Sequence, residues 1–160
     1  MNQSSSAQRR EKISYEVSGE NSKYTLLHLL DVEDIPGHSL ALYELHRTFP
    51  KGALMFAGVS VTEQWMRGTV DTIDGNGTVI GYGFYNLEDG DKIFGKFDGI
   101  SQSATGQSAD VRTVIGSTVL TGGTGKLRGI CGILHFVTNT DVSQNLNESK
   151  CEGEYWMQKG

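Results

Sequence analysis

Two ionisable side chains two residues apart on an alternating stretch are the clearest chemical signal in this chain. In residues 40–47, Leu-Ala-Leu-Tyr-Glu-Leu-His-Arg, strand alternation places Leu40, Leu42, Glu44 and His46 on one face and Ala41, Tyr43, Leu45 and Arg47 on the other. If the first face points into an apolar interior, Glu44 and His46 enter it as a pair. Desolvation would raise the carboxyl pKa, and the neighbouring imidazole would share or relay its proton, which suits general acid/base work near neutral pH. On the alternative reading the face is solvated, or the two groups only satisfy each other as a buried polar contact. Residues 78–88 sort in the same way, with Ile80, Tyr82, Phe84 and Asn86 on one face and Val79, Gly81, Gly83, Tyr85 and Leu87 on the other. Tyr82 and Phe84 would wall a ligand cavity, Tyr82 offering a hydroxyl to a substrate oxygen, or they are plain core, which is what aromatic burial ordinarily supplies. Trp65, Tyr155 and Trp156 carry the same two readings.

Other chemistry fails on spacing. The run Thr-Gly-Gly-Thr-Gly-Lys at residues 121–126 lacks the first glycine of a phosphate loop, since Leu120 stands there, and its lysine is followed by Leu127 instead of Ser or Thr. It also misses the dinucleotide fingerprint, whose last glycine would fall at Arg128. Asp71, Asp74, Asp89 and Asp91 read as turn aspartates and not as a calcium loop. His28, His38, His46 and His135 are scattered, with no metal-ligand spacing among them. No nucleophile elbow is present, and neither Cys131 nor Cys151 has the setting of a reactive thiol. No metal is therefore expected.

The elements that must position these residues are strands. The chain has 160 residues, 21 of them glycine and only 2 proline, and the residues between glycines are rich in Val, Ile, Thr, Tyr and Phe. Period-2 alternation runs from Tyr24 onward with no useful helical stretch. Strands are expected at residues 24–31, 39–48, 55–73 with a bend or bulge at Gly68, 78–87, 92–100, 110–120, 132–140 and 149–157. Asp-Gly and Asn-Gly turns punctuate them at residues 74–77 and 88–91. About eight antiparallel strands in one small domain must manage their edges, and closure into a barrel does so while leaving room for one small ligand. The expected organisation is a disordered arm over residues 1–12 and a single barrel domain over 13–160.

A net charge of −5 argues against nucleic acid as a partner. No apolar run reaches the ~18 residues of a membrane helix, and the polar first residues lack a signal-peptide core, so no membrane partner and a cytoplasmic location are expected. In that compartment the two cysteines are expected as thiols more often than as a disulfide.

The glycine run becomes informative in a second way. Thr121-Gly122-Gly123-Thr124-Gly125-Lys126-Leu127-Arg128-Gly129-Ile130-Cys131-Gly132 resembles the glycine-rich strand connection of the allene oxide cyclase and dirigent barrels. Gly81-Tyr82-Gly83-Phe84-Tyr85, an acidic hairpin turn and then residues 93–99 follow the same order. Tyr43-Glu44-Leu45-His46 also looks like the Tyr-Glu-Ile-Asn of the plant cyclase, with His in place of Asn. The resemblance spans roughly residues 58–136. It implies an eight-stranded antiparallel barrel around a central apolar cavity, often in trimers, with chemistry that needs no cofactor.

Together these readings point to a cofactor-independent isomerase or cyclase acting on an apolar, partly oxygenated small molecule, with dimers or trimers admitted. Glu44 is the expected acid/base, His46 its partner and Tyr82 the hydroxyl donor, while Leu42, Trp65, Phe84, Phe97 and His135 are expected to line the substrate site. The alternative is a lipocalin-like protein that holds such a molecule without chemistry. A dirigent-like role, orienting radicals made elsewhere, is disfavoured by the lack of an export signal.

Overall fold

A computed structural model describes residues 9–104 and 106–158. They form ten strands and no α-helix: β1 (Glu11–Val17), β2 (Ser22–Asp31), β3 (His38–Thr48), β4 (Met55–Phe56), β5 (Val59–Ile73), β6 (Asn76–Leu87), β7 (Lys92–Ser103), β8 (Val111–Gly123), β9 (Ile130–Asp141) and β10 (Leu146–Met157). All ladders are antiparallel, in the order β1-β10-β9-β8-β7-β6-β5-β3-β2, with β4 paired to β5 outside that path.

The all-β antiparallel class is as expected from the alternation, but two particulars differ. There are ten strands, not eight, and the path does not close into a barrel through its backbone. Side chains instead bring β2 against β10. The Asn145 amide accepts from the Tyr24 backbone N–H at 2.8 Å and donates to the Tyr24 carbonyl at 3.3 Å. Asn145 holds a left-handed backbone (φ 46°), and its side chain serves β2 as a neighbouring strand's peptide would.

Strand β1 was not expected, because Glu11 and Lys12 belong to the polar arm by composition. Both residues are paired, to Tyr155 and Glu154, and Ile13, Tyr15 and Val17 turn inward. The disordered arm thus loses residues 11 and 12 to β1, and its first eight residues lie outside the described ones. The single long strand expected at 55–73 is a two-residue strand, a tight turn and then β5, and its irregularity falls between Val61 and Glu63, not at Gly68. The β5–β6 connection is a two-residue turn, Asp74 (φ 50°) and Gly75 (φ 83°), the doubly left-handed geometry that suits a twisted hairpin. Cys131 lies opposite Trp156 and Cys151 opposite Phe136, five rungs apart on the β9–β10 ladder, so both thiols are free.

The interior divides along the strands into two clusters. At one end the segment between β3 and β5 folds underneath, and Phe49, Leu54 and Phe56 pack with Tyr15, Tyr85, Ile93, Leu134 and Tyr155 into a filled core. The rings of Phe56 and Tyr155 stand 5.1 Å apart, and the Tyr155 hydroxyl accepts from the Ala57 N–H at 2.9 Å. At the other end Tyr43, Leu45, Met66, Val79, Phe97 and Val114 form a second cluster, packed against Tyr24, Leu27, Val70 and Phe136. This half is hollow. Its wall is made from aromatic rings laid over glycines of the neighbouring strand: a Cβ at Gly68 would stand 2.8 Å from the Tyr43 ring, and one at Gly116 2.7 Å from that of Phe136.

Candidate functional site

The hollow half encloses a cavity of about 290 Å³. Its sides come from the inward rows of β3, β5, β6, β7, β8 and β9, among them Ala41, Tyr43, Val79, Phe97, Val114 and Phe136. The rim carries Asp31, Gly37, Asp74, Asp110 and Arg112. Two turns are fastened together there, since the Asp74 N–H donates to the Gly37 carbonyl at 3.0 Å. Arg112 donates from Nε to the Ala109 carbonyl at 2.6 Å and from a terminal nitrogen to Thr72 Oγ1 at 3.3 Å.

The boundary between cavity and filled core is polar, and at its centre is Arg47, 3% exposed. Its guanidinium donates through Nε to Ser22 Oγ at 3.2 Å, through Nη1 to Gln64 Oε1 at 3.3 Å and through Nη2 to Asn147 Oδ1 at 2.8 Å. Ser22 Oγ also donates to Asn147 Oδ1 at 3.0 Å, and Asn147 Nδ2 donates to the Tyr24 hydroxyl at 3.2 Å. Every acceptor of Arg47 is neutral, and among the described residues it belongs to no ion pair. Arginine is rarely buried to this degree without an anion.

Four tyrosine hydroxyls surround this layer. Tyr15 and Tyr85 hydrogen-bond to each other at 2.7 Å on the core side. Tyr24 and Tyr43, on the cavity side, meet edge to face with centroids 5.8 Å apart. Burial pushes all four phenols above their ordinary range, so they stay protonated, while the positive charge of Arg47 pulls each one part of the way back. The Cys151 thiol is raised by burial as well.

The residues singled out from sequence fall mostly on the opposite surface. The inward row of β3 is Ala41, Tyr43, Leu45 and Arg47, so Glu44 and His46 face outward and the expected buried acid/base pair does not form. Glu44 accepts from Thr25 Oγ1 at 2.7 Å and from Arg67 Nε at 2.8 Å. These bonds, Thr25 first, hold its carboxyl below the usual range, the reverse of the shift a desolvated acid would show. His46 stacks on Trp65 with centroids 4.1 Å apart and places Nε2 2.7 Å from Glu63. Glu63 is itself held low by hydrogen bonds from Asn86 and His46. Tyr82 is 64% exposed with the Lys96 ammonium over its ring, and Phe84 lies under Arg67 and Lys92. Leu42 borders a shallow outer groove, and His135 is outside, its Nδ1 3.0 Å from Ser117 Oγ. The ladder does gather Glu44, Arg67 and Tyr82 into one outer row and His46, Trp65 and Phe84 into the next. Of the eight residues, only Phe97 (5% exposed) reaches the cavity.

The inversion has a steric cause. In so tightly curled a sheet the interior cannot hold two facing rows of large side chains, so the glycine-bearing face of β6 turns inward beneath the Phe97 ring and the Met66 side chain, and Tyr82 and Phe84 are left outside. Arg47, the residue overlooked, has one signal in the sequence: it continues the period of Ala41, Tyr43 and Leu45. Comparison with protein-family models, curated proteins and solved structures returned no match to this chain.

Proposed function

We propose that this chain binds an apolar, partly oxygenated small molecule inside the hollow half of its curled sheet, which acts as a barrel-like cup. The observation that carries this reading is the cavity itself: apolar on its sides, filled with core at one end, and supplied with a few polar groups at its floor. At the ~30 Å³ that one water occupies in the liquid, its volume suits roughly ten heavy atoms. The glycine motif's resemblance to the allene oxide cyclase and dirigent barrels supports the same use of the interior.

An isomerase or cyclase is the second reading, favoured by the Tyr24 and Tyr43 phenols, which stay protonated beside the cavity and can donate to a developing oxyanion. A dry cavity that holds one conformer of a flexible substrate needs no cofactor to accelerate ring closure. In this version Tyr24 and Tyr43 take the place of Glu44, His46 and Tyr82.

Thermal denaturation against a panel of straight-chain and cyclic alcohols, ketones and epoxides tests the proposal. Wild type should gain stability with at least one compound, and Ala41→Phe, which fills the cavity, should not. An equal gain in both proteins would move binding to the outer grooves and end the reading. A bound compound recovered unchanged identifies a carrier, and a rearranged product identifies an enzyme.

A further inference from the structure

We propose that the ligand of this cavity carries a carboxylate, or an equivalent planar oxyanion, and is held head-down with that group on Arg47. The inference rests on the cavity reading above and specifies the ligand's chemical class.

A guanidinium in a low-dielectric interior is costly unless an anion accompanies it, and Arg47 has only three neutral oxygens around it. Those contacts engage three of its five N–H groups and leave one on each terminal nitrogen. A carboxylate brings two acceptor oxygens and a negative charge to these two remaining donors. Ser22, Gln64 and Asn147 hold the group from β2, β5 and β10, so its plane is set before a ligand arrives.

Position supports the same conclusion. Arg47 lines the cavity at its boundary with the filled core, whereas the apolar sides lie above it on β3 to β9. A molecule with an acidic head and an apolar body matches that polarity, and the reverse orientation would leave hydrocarbon against the guanidinium. The acidic rim does not oppose it: Asp31 is paired with Ser39, eight residues along β3 from Arg47, or about 26 Å at ~3.3 Å per residue. That separation exceeds the ~8 Å Debye length at physiological salt several-fold.

Calorimetric titration of the full chain at pH 8 with octanoic acid, octanol and methyl octanoate tests this, each having about the number of heavy atoms that the cavity holds. Wild type should bind octanoate at least about tenfold more tightly than either neutral analogue, as charge-assisted hydrogen bonds require. Arg47→Gln should bind the three alike, through a loss of octanoate affinity and not a gain for octanol, while Arg47→Lys keeps part of the preference. If Arg47→Gln does not fold, the wild-type preference and its abolition in Ala41→Phe carry the decision. Octanol binding as tightly as octanoate in wild type overturns the carboxylate assignment and leaves the cavity reading standing, and so does an undiminished preference in Arg47→Gln. No binding of any of the three overturns both.

Discussion

A single methyl group added at Gly68 probes how the cavity wall is built. Gly68 has no left-handed backbone, so alanine is conformationally allowed, and the consequence is decided by space. The new Cβ would stand 2.8 Å from three atoms of the Tyr43 side chain, against a preferred carbon separation of about 3.5–4.0 Å. The ring must therefore retreat by roughly 0.7–1.2 Å toward the cavity, the open side of the wall. Overpacking of this kind costs about 1–3 kcal/mol, offset by about 0.4–1 kcal/mol from the stiffer unfolded chain, leaving Gly68→Ala about 1–2 kcal/mol less stable. In a Tyr43→Ala background the obstruction is gone, and the same substitution should be neutral or stabilising by up to about 1 kcal/mol. A double-mutant cycle from urea denaturation should give a coupling of about 2 kcal/mol with unchanged m-values. Equal destabilisation by Gly68→Ala in both backgrounds would refute the idea that glycine is needed here to seat the ring.

Glu44→Gln and His46→Ala should leave cavity binding unchanged and shift stability by no more than about 1 kcal/mol, because both residues sit in half-buried hydrogen-bonded pairs on the outer face of β3; ligand-induced thermal shifts check this directly. At the rim, His38 places Nδ1 2.7 Å from Asp34 and Nε2 2.7 Å from Asp71, an arrangement in which both ring nitrogens donate and the ring is a cation. Hydrogen bonds to Asp71 and then Asp34 raise its pKa, so the stability it contributes is fully present below the ordinary value of ~6.5 and is lost as pH rises through the raised one. Asp34 is lowered, chiefly by His38, so its contribution is present above the ordinary aspartate value of ~3.9 and is lost as pH falls through the lowered one. NMR titration should find His38 still protonated where a free histidine has lost its proton, and Asp71→Asn should bring its pKa down.

The fold class was legible because alternation and Gly-rich turns act locally, and both are written in the strands from Tyr24 to Met157. Strand β1 was hidden by composition: Glu11 and Lys12 look like part of a solvated arm, and only pairing with β10 makes Ile13, Tyr15 and Val17 core. The candidate site was missed because β3 is apolar on both faces. Leu40 and Leu42 compete with Tyr43 and Leu45 for the interior, and the tie is broken by Gly68, Gly81 and Gly83 on other strands. In the run at residues 121–126 glycine has a local reason, since Gly122 (φ 151°) and Gly125 (φ 56°) both hold backbone conformations that side chains disfavour.

The side-chain seam between β2 and β10 also dictates an order of events in time. Each ladder from β2–β3 through β5–β6 to β9–β10 joins strands near in sequence, so most of the sheet can zip from hairpins at small loop-closure cost. The contacts of Ser22 and Tyr24 with Asn145 and Asn147 bridge more than 120 residues and must come late, as must β1 on β10. Arg47 receives Ser22 from one side of that seam and Asn147 from the other, so the cavity floor is completed only when the circuit is joined. The reverse path begins at the same place. Parting the seam breaks side-chain bonds while the ladders on either side stay intact, so hydrogen exchange should find local opening of the sheet there before the ladders themselves give way.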